Sequence, residues 1–400
     1  MGQALPRRRP PQAAGLPAAP HTNAPHPTAR RMTIALYLLT AALALLTLLP
    51  LHPARVWWVR IWDFPRLQLA LLLAALLLAQ ALWLDFSRWH AWLAVATTAL
   101  CALYQVWWIL PYTPLWRHEV RWADAHEQGP RLRIMAANVL TPNRNADAVL
   151  ALVRQHRPDV LVTLETDAWW EQQLQPLRQH YPHYVACPQD NLYGMHLYAR
   201  LPLDEVQVQY LVEPHVPSIH ASLLLRPAQG AQPEVRVRMH FLHPAPPSPT
   251  ENDESTERDV ELLMIAKSLQ GERGPVIVAG DLNDVAWSPT TRLFRKISGL
   301  LDARVGRGMI NSFHARYWFA RWPLDHIFHS DHFELVRVQR LPSIDSDHFP
   351  IMIELQYHPA NSGQQEGLQA NAQDHRQASQ TLAEQGASAA DVPEPQARGH

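Results

Sequence analysis

Three stretches of the chain carry no charged side chain: Met32 to Pro50, Leu67 to Leu84 and Ala91 to Pro111. Each approaches or exceeds the roughly 18 apolar residues that a helix needs to cross a hydrocarbon core of about 30 Å. A chain built this way does not fold as one soluble globule. The runs predict three transmembrane helices over about 32–50, 67–85 and 91–111. Tryptophans gather at their ends, among them Trp57, Trp58, Trp62, Trp89, Trp107 and Trp108, where indole rings favour the headgroup level of a bilayer. A cleaved signal peptide accounts for the first run alone, because Arg30 and Arg31 precede it. No A-x-A-like site follows that run, however, and two further runs do. The spans themselves hold no ionisable group of the kind that a transporter or channel would use, so they read as an anchor.

An odd number of spans puts the two ends of the chain on opposite sides. Arg7, Arg8, Arg9, Arg30, Arg31 and Arg88 stand against Arg55, Arg60, Arg66, Arg117 and Arg121. With the usual dominance of the first helix, the positive-inside rule then predicts a cytoplasmic N-terminus and an extracytoplasmic C-terminal domain.

The anchor is flanked by segments of other composition. Residues 1–31 are rich in Pro and Arg with few large apolar side chains, and read as disordered. Residues 112–130 read as a linker, and 357–400 as a disordered tail, since SGQQEGLQANAQDHRQASQ and the remaining C-terminal residues lack aromatic side chains and apolar periodicity. Between them, 131–356 has the texture of one folded domain. RLRIMAAN, DVLVTLE, IHASLLL, VRVRMHF, PVIVAGD and FPIMIEL read as strands. Ala146, Val149, Leu150 and Val153 form a helical stripe behind the N-cap candidate Asn145, and Leu262, Ile265, Ala266 and Leu269 form another. Many strands with few interspersed helices predict an α/β or α+β sandwich. Two cysteines, Cys101 and Cys187, exclude a disulfide framework, and no Cys/His cluster has zinc spacing. Thirty-five Lys and Arg against thirty-six Asp and Glu give no net charge that would select a partner.

Acidic, amide and imidazole side chains recur at the ends of these strands. In PVIVAGDLND an apolar strand exits at Gly280 and delivers Asp281 and Asn283, which on an extended chain point to the same side, toward one phosphate or one water. Taken alone, the motif is equally a turn in which Asp and Asn satisfy local backbone groups. RWPLDHIFHS supplies Asp325 and His326, and DSDHFPIMIEL supplies Asp347 and His348. Asn138, Glu165 and His243 end three earlier strands. A carboxylate near a metal and a histidine oriented by a second carboxylate are the parts needed to activate or position water for attack on a phosphoester.

The ordered set Asn138, Glu165, His243, Gly280-Asp281-x-Asn283, Asp325-His326 and Ser346-Asp347-His348 resembles the endonuclease/exonuclease/phosphatase superfamily, the metal-dependent fold of deoxyribonuclease I and of abasic-site endonucleases. The resemblance runs from about Arg131 to Gln356 and includes NLYGMHLYARLPL, with Tyr193 and Gly194, and HPAPP. It is nearest to the bacterial branch in which hydrophobic helices precede the catalytic domain, so the inner membrane is the expected location. The resemblance implies a four-layered α/β sandwich and a role for each matched position. Glu165 and Asp347 would bind metal, with Asn138 near both metal and phosphate; Asp281 and Asn283 would hold the attacking water and a phosphate oxygen. His348, oriented by Asp325, would contact phosphate or water, and His243 would serve the leaving oxygen. Oxygen ligands of this kind favour Mg²⁺ or Mn²⁺. Leu140 stands where some members carry an acidic ligand, which shifts the metal onto Glu165.

His326, one residue past Asp325 on a strand, is expected on the opposite face. In FHARYWFARW, Arg316 and Arg321 alternate with Tyr317, Trp318 and Trp322. That composition suits gripping phosphate while stacking a base or a headgroup, and equally suits packing on the sheet or lying against the membrane. The expected activity is phosphodiester or phosphomonoester hydrolysis on a nucleic acid, a nucleotide or a phospholipid headgroup, with the bilayer as the other contact and no protein partner evident. No Lys/Arg stripe singles out nucleic acid. A non-catalytic binding or sensing module would show eroded site positions, and these are intact.

Overall fold

In a computed structural model of the chain the described residues are 27–124, 126, 129–226 and 234–394. The expectation for residues 1–31 therefore falls almost wholly outside them. Four helices come first: α1 (Pro27–Leu48), the single turn α2 (Trp57–Arg60), α3 (Arg66–Trp83) and α4 (Trp89–Ile109). Among the described residues three helices are long and apolar enough to cross a membrane, Arg30–Leu51, Arg66–Trp83 and Trp89–Tyr112. The first begins a few residues earlier than expected, because Pro27 sits in the opening turn, where its missing N–H costs nothing. Polar contacts clasp the three together. The Gln80 amide donates to Thr40 Oγ1 at 2.8 Å and Thr98 Oγ1 at 2.9 Å, the kind of interhelical bond that apolar surroundings favour. Arg66, the first residue of α3, is buried and paired with Asp63 and Gln105.

The sandwich comes next, in the order β1 (Arg131–Asn138), α5 (Ala146–His156), β2 (Val160–Leu164), α6 (Ala168–Gln173), β3 (His183–Cys187), β4 (Met195–Ala199), β5 (Leu203–Gln209), β6 (Ser218–Leu225), β7 (Val235–Leu242), α7 (Thr256–Ser268), β8 (Val276–Asp281), α8 (Pro289–Ser298), β9 (Leu301–Asp302), β10 (Asp325–His329), β11 (Phe333–Arg340), β12 (Ile351–Tyr357) and α9 (Ala372–Glu384). One six-stranded sheet runs β11-β12-β1-β2-β4-β3 and the other β5-β6-β7-β8-β10-β9. They pack face to face through Ile134, Ala136, Val162, Leu197, Met239, Phe241 and Ile277. Alternate β1 residues, Met135 and Ala137, turn the other way onto α5 and α6. On the far side α7, α8 and α9 cover the second sheet. The result is the expected four layers, helix on sheet on sheet on helix. With both faces covered, central strands such as VLVTL and VIVAGD are buried throughout and read as continuous apolar runs.

The helix α5 obeys its local signals. Asn145 Oδ1 accepts from Ala148 N at 3.2 Å, and the helix stops at Arg157 in the left-handed region. The tail departs from expectation, because residues 372–384 form a helix rather than disorder. Asn371 and Asp374 make a capping box at its start, and Ala378 and Leu382, four apart, bury against α7 and α8. Lys296 pairs with Asp374 at 2.9 Å. Two small apolar contacts in a polar helix leave too weak a stripe to show as periodicity.

Candidate active site

Strand register gathers the polar residues at one edge. In the first sheet β1 and β2 run parallel with Asn138 opposite Leu164, so Glu165 emerges one residue beyond the pair. In the second, β7 and β8 run parallel with Leu242 opposite Gly280, so His243 and Asp281 emerge side by side. The antiparallel β10 then places Asp325 directly opposite Asp281. Gly280 is required at this crossing: its φ is +145°, and a Cβ there would stand 1.9 Å from Leu242 O.

Asn138 joins the two sheets across the sandwich. Its amide donates to Glu165 Oε1 at 2.7 Å and Asp281 Oδ2 at 3.1 Å. The same Asp281 oxygen lies 3.4 Å from His348 Nε2 and 3.9 Å from His243 Nε2. His348 Nδ1 in turn bonds Asp325 Oδ2 at 2.7 Å. Asp325, His348, Asp281, Asn138 and Glu165 thus form one chain of polar contacts. Asp281, Asp325 and His348 offer ligand atoms all within 4.8 Å of one another, a buried group able to hold a metal ion.

Charge follows from burial and neighbours. Burial opposes ionisation of Asp281, but the His348 and His243 imidazoles and the Asn283 N–H outweigh it and hold this carboxyl below its ordinary value. Burial alone would discharge His348, yet the Asp325 and Asp281 carboxylates push its pKa up to about 10. Burial raises Asp325, and lowers His243 to about 4 against the pull of Asp281. Glu165 is pushed up to about 7 by burial, with Asp347 and Asp281 adding to the effect and the Asn138 bond opposing it. Its Oε2 is buried without a hydrogen-bond partner among the described residues. A carboxyl with a free oxygen beside further carboxylates and an amide fits a hard divalent cation. Of the metal ligands expected from the sequence, Asn138 bonds Glu165 directly and also reaches Asp281 of the Asp281, Asp325 and His348 group, and Asp347 is close enough to act electrostatically on both Glu165 and His348.

Two expectations change. Asn283 does not share a strand face with Asp281, because the strand ends at Asp281 and Asn283 turns left-handed at φ 50°. Its backbone N–H donates to Asp281 Oδ1 at 3.0 Å and its amide to Pro244 O at 3.0 Å, so it braces the exit of β7 beside His243. Arg321 does not join the cluster: its guanidinium donates to Ala315 O at 3.1 Å and lies over the Phe349 ring, bracing its own loop. Arg316 is exposed, 3.4 Å from Asp345 O. Asp347 is half-buried and its carbonyl accepts from Ala315 N at 2.6 Å. His326 faces away from the site, with Nε2 donating to Asp284 O at 2.9 Å. The Tyr193 ring lies tilted against the His243 ring with centroids 5.3 Å apart, and its hydroxyl bonds Glu251.

Several supporting residues carry no signal in the sequence. Arg304 donates to Asp325 O at 3.2 Å while its other nitrogens bond Asp302 at 2.9 Å. Ser312 Oγ accepts from Leu324 N and Asp325 N. The buried Arg258 donates to Asn283 O at 2.8 Å, and Thr141 to Glu165 O at 2.8 Å. Each holds the backbone of a site residue distant in sequence.

A mixed α/β sandwich with carboxylates, an amide and imidazoles at one edge defines a class of hydrolase fold. Residues 135–348 match the Endonuclease/Exonuclease/phosphatase family, over half of the 400 residues, and the chain belongs to that family. Its members are typically metal-dependent phosphoesterases. Among solved structures, TDP2 of D. rerio complexed with single strand DNA product is 15% identical at a TM-score of 0.45, covering 56% of this chain and 99% of that one. A mannosyl-6-phosphatase of Bacteroides thetaiotaomicron is 18% identical at 0.43, covering 56% and 100%. The catalytic domain of human Nocturnin is 18% identical at 0.43, covering 57% and 94%. No curated protein matches.

Proposed function

We propose that the chain is a membrane-anchored, Mg²⁺- or Mn²⁺-dependent phosphoric ester hydrolase. Residues 131–356 would be the catalytic unit, on the extracytoplasmic side of the inner membrane, and the three helices within 32–111 the anchor. The observation that carries the reading is the Asp281 carboxylate, held between His348, His243 and Asn138 with Asp325 behind His348. In this reading Asp281 orients the attacking water and accepts its proton. His348, kept charged by Asp325, donates to the phosphoryl oxygens, and the neutral His243 stabilises the leaving oxygen by a hydrogen bond while that oxygen takes its proton from solvent water. Glu165 and Asn138, with Asp347 beside them, would hold the cation, which when bound supplies neutralising charge to the phosphoryl group. Asn283 keeps the Asp281 and His243 strand ends together.

The test is hydrolysis of bis-p-nitrophenyl phosphate by the detergent-solubilised full chain with Mg²⁺, Mn²⁺ or EDTA. EDTA should abolish turnover, and Asp281→Ala and His348→Ala should each lower kcat by about a hundredfold or more. Turnover that survives both substitutions would refute the assignment, and a folded chain without turnover in any metal would favour a binding module.

A further inference from the structure

The edge of the sandwich that carries the site is also the edge joined to the membrane-length helices. Three loops at the site edge of the second sheet make that junction. The loop after β7 meets the segment between α1 and α3, where Trp57 N donates to Asp253 O and Ser255 N to Arg55 O, both at 2.9 Å. The loop after β8 meets both sides: Trp287 Nε1 donates to Asp63 O at 2.8 Å, and Tyr112 OH to Ala286 O at 2.7 Å. The loop before β10 meets the first turn of α3, where Gln68 Nε2 donates to Phe319 O at 2.9 Å.

That last loop carries Tyr317, Trp318 and Phe319, which are 51%, 80% and 60% exposed. Three consecutive exposed aromatic residues are costly in water and suit the headgroup layer. Their loop is also the wall of the site. Ala315 N bonds Asp347 O, and the Phe313 ring lies 4.8 Å from the His348 ring. Trp318 stands three positions beyond Ala315, an extended reach of about 10 Å at most. The headgroup layer is roughly 5–8 Å thick on each side of the hydrocarbon.

We propose that the 317–319 aromatic tip inserts into the bilayer interface beside α3, and that the site acts on the phosphoester of a membrane lipid headgroup presented there. The proposal rests on the phosphoesterase reading for its chemistry and on the three helices spanning the bilayer for its geometry. A phosphoryl group at headgroup level lies within the reach of the loop from Trp318 to Asp347, whereas a water-soluble diester gains nothing from the aromatic tip.

The test uses the full chain in nanodiscs of phosphatidylcholine with phosphatidylglycerol. Substrates are that bilayer lipid, the matching water-soluble glycerophosphodiester, bis-p-nitrophenyl phosphate and single-stranded DNA. The variant is Tyr317→Ser/Trp318→Ser/Phe319→Ser, with Trp318→Ser alone as a milder form and thermal midpoints to check folding. The expected result is a tenfold or greater loss of bilayer-lipid hydrolysis, with turnover of the soluble diesters within twofold of the parent. Equal losses on all substrates, or DNA or soluble diesters preferred over bilayer lipid with no effect of the variant, would overturn the substrate assignment. Insertion is read separately, with a fluorophore on Trp318→Cys or on Arg273→Cys at the opposite edge, in a Cys101→Ser/Cys187→Ser background. Brominated lipid should quench the first and not the second; no quenching at 318 overturns the insertion. Failure of every soluble diester to turn over, with quenching intact, would instead locate the failure in the phosphoesterase reading.

Discussion

Replacing Gly280 with alanine tests whether strand register builds the site. Carbon and oxygen do not approach closer than about 3.0 Å, and the new Cβ would stand 1.9 Å from Leu242 O, so the ends of β7 and β8 must part by about 1.1 Å. The residue is also held at φ +145°, where an L side chain is strained by about 1–3 kcal/mol. With the lost strand contact, Gly280→Ala should cost about 3 kcal/mol, or roughly 6–12 °C in the thermal midpoint of a domain this size. His243 and Asp281 are the next residues on these strands, 3.9 Å apart at Nε2 and Oδ2. A displacement of about 1 Å in such a pair commonly costs on the order of a hundredfold in rate. The assay is thermal unfolding of the detergent-solubilised chain, followed by hydrolysis of a soluble diester well below the midpoint. Gly299→Ala is the control, because φ is +72° there but nothing lies within 4 Å of the added Cβ; it should cost about 1 kcal/mol and leave kcat unchanged. Gly280→Ala behaving like Gly299→Ala would refute the argument that close approach of β7 and β8 positions the pair.

Other expectations rest on the same contacts. Glu165→Gln keeps the shape but removes the charge beside the unpartnered Oε2, so the Mg²⁺ concentration for half-maximal activity should rise at least tenfold, read by metal titration; an unchanged midpoint would place the cation elsewhere. Glu261 is pushed up to about 8 by burial and then by Glu213. The unfolded chain releases this proton near pH 4.5 and the folded chain near 8, so its contribution to stability falls as pH rises across that window and is flat above it. The stability of Glu261→Gln relative to the parent should therefore climb between those limits, as thermal midpoints at a series of pH values would show; a constant difference would mean the carboxyl is ionised in the fold. Leu382→Ala should lower stability by about 2–3 kcal/mol in denaturant unfolding, because this side chain buries against α7 and α8; a loss near zero would refute the packing of the 372–384 helix on the domain.

The site residues were readable one at a time because chemistry at strand ends leaves local marks. A buried apolar run closing on Gly-Asp shows where β8 stops, and an apolar run opening after Asp-His shows where β10 begins. The contacts between them were not readable, since Asn138 reaches Asp281 across 143 residues and two sheets. Asn283 leaves the expected face for a local reason: β8 ends at Asp281 and the chain turns left-handed at Asn283. The strands β3 and β5 leave only weak local marks because their burial is partial, and α8 because its apolar stripe is short.

The three apolar helices, the sandwich class and the polar residues were legible along the chain, since each depends on composition and periodicity within a few turns. Folding in three dimensions sets which carboxylate faces which imidazole, which oxygen of Glu165 lacks a partner among the described residues, the return of the tail as a helix against α7 and α8, and the docking of the site edge on the membrane-length helices. Those features depend on strand register and on loops meeting from distant parts of the chain, where one residue of slip turns a side chain to the opposite face.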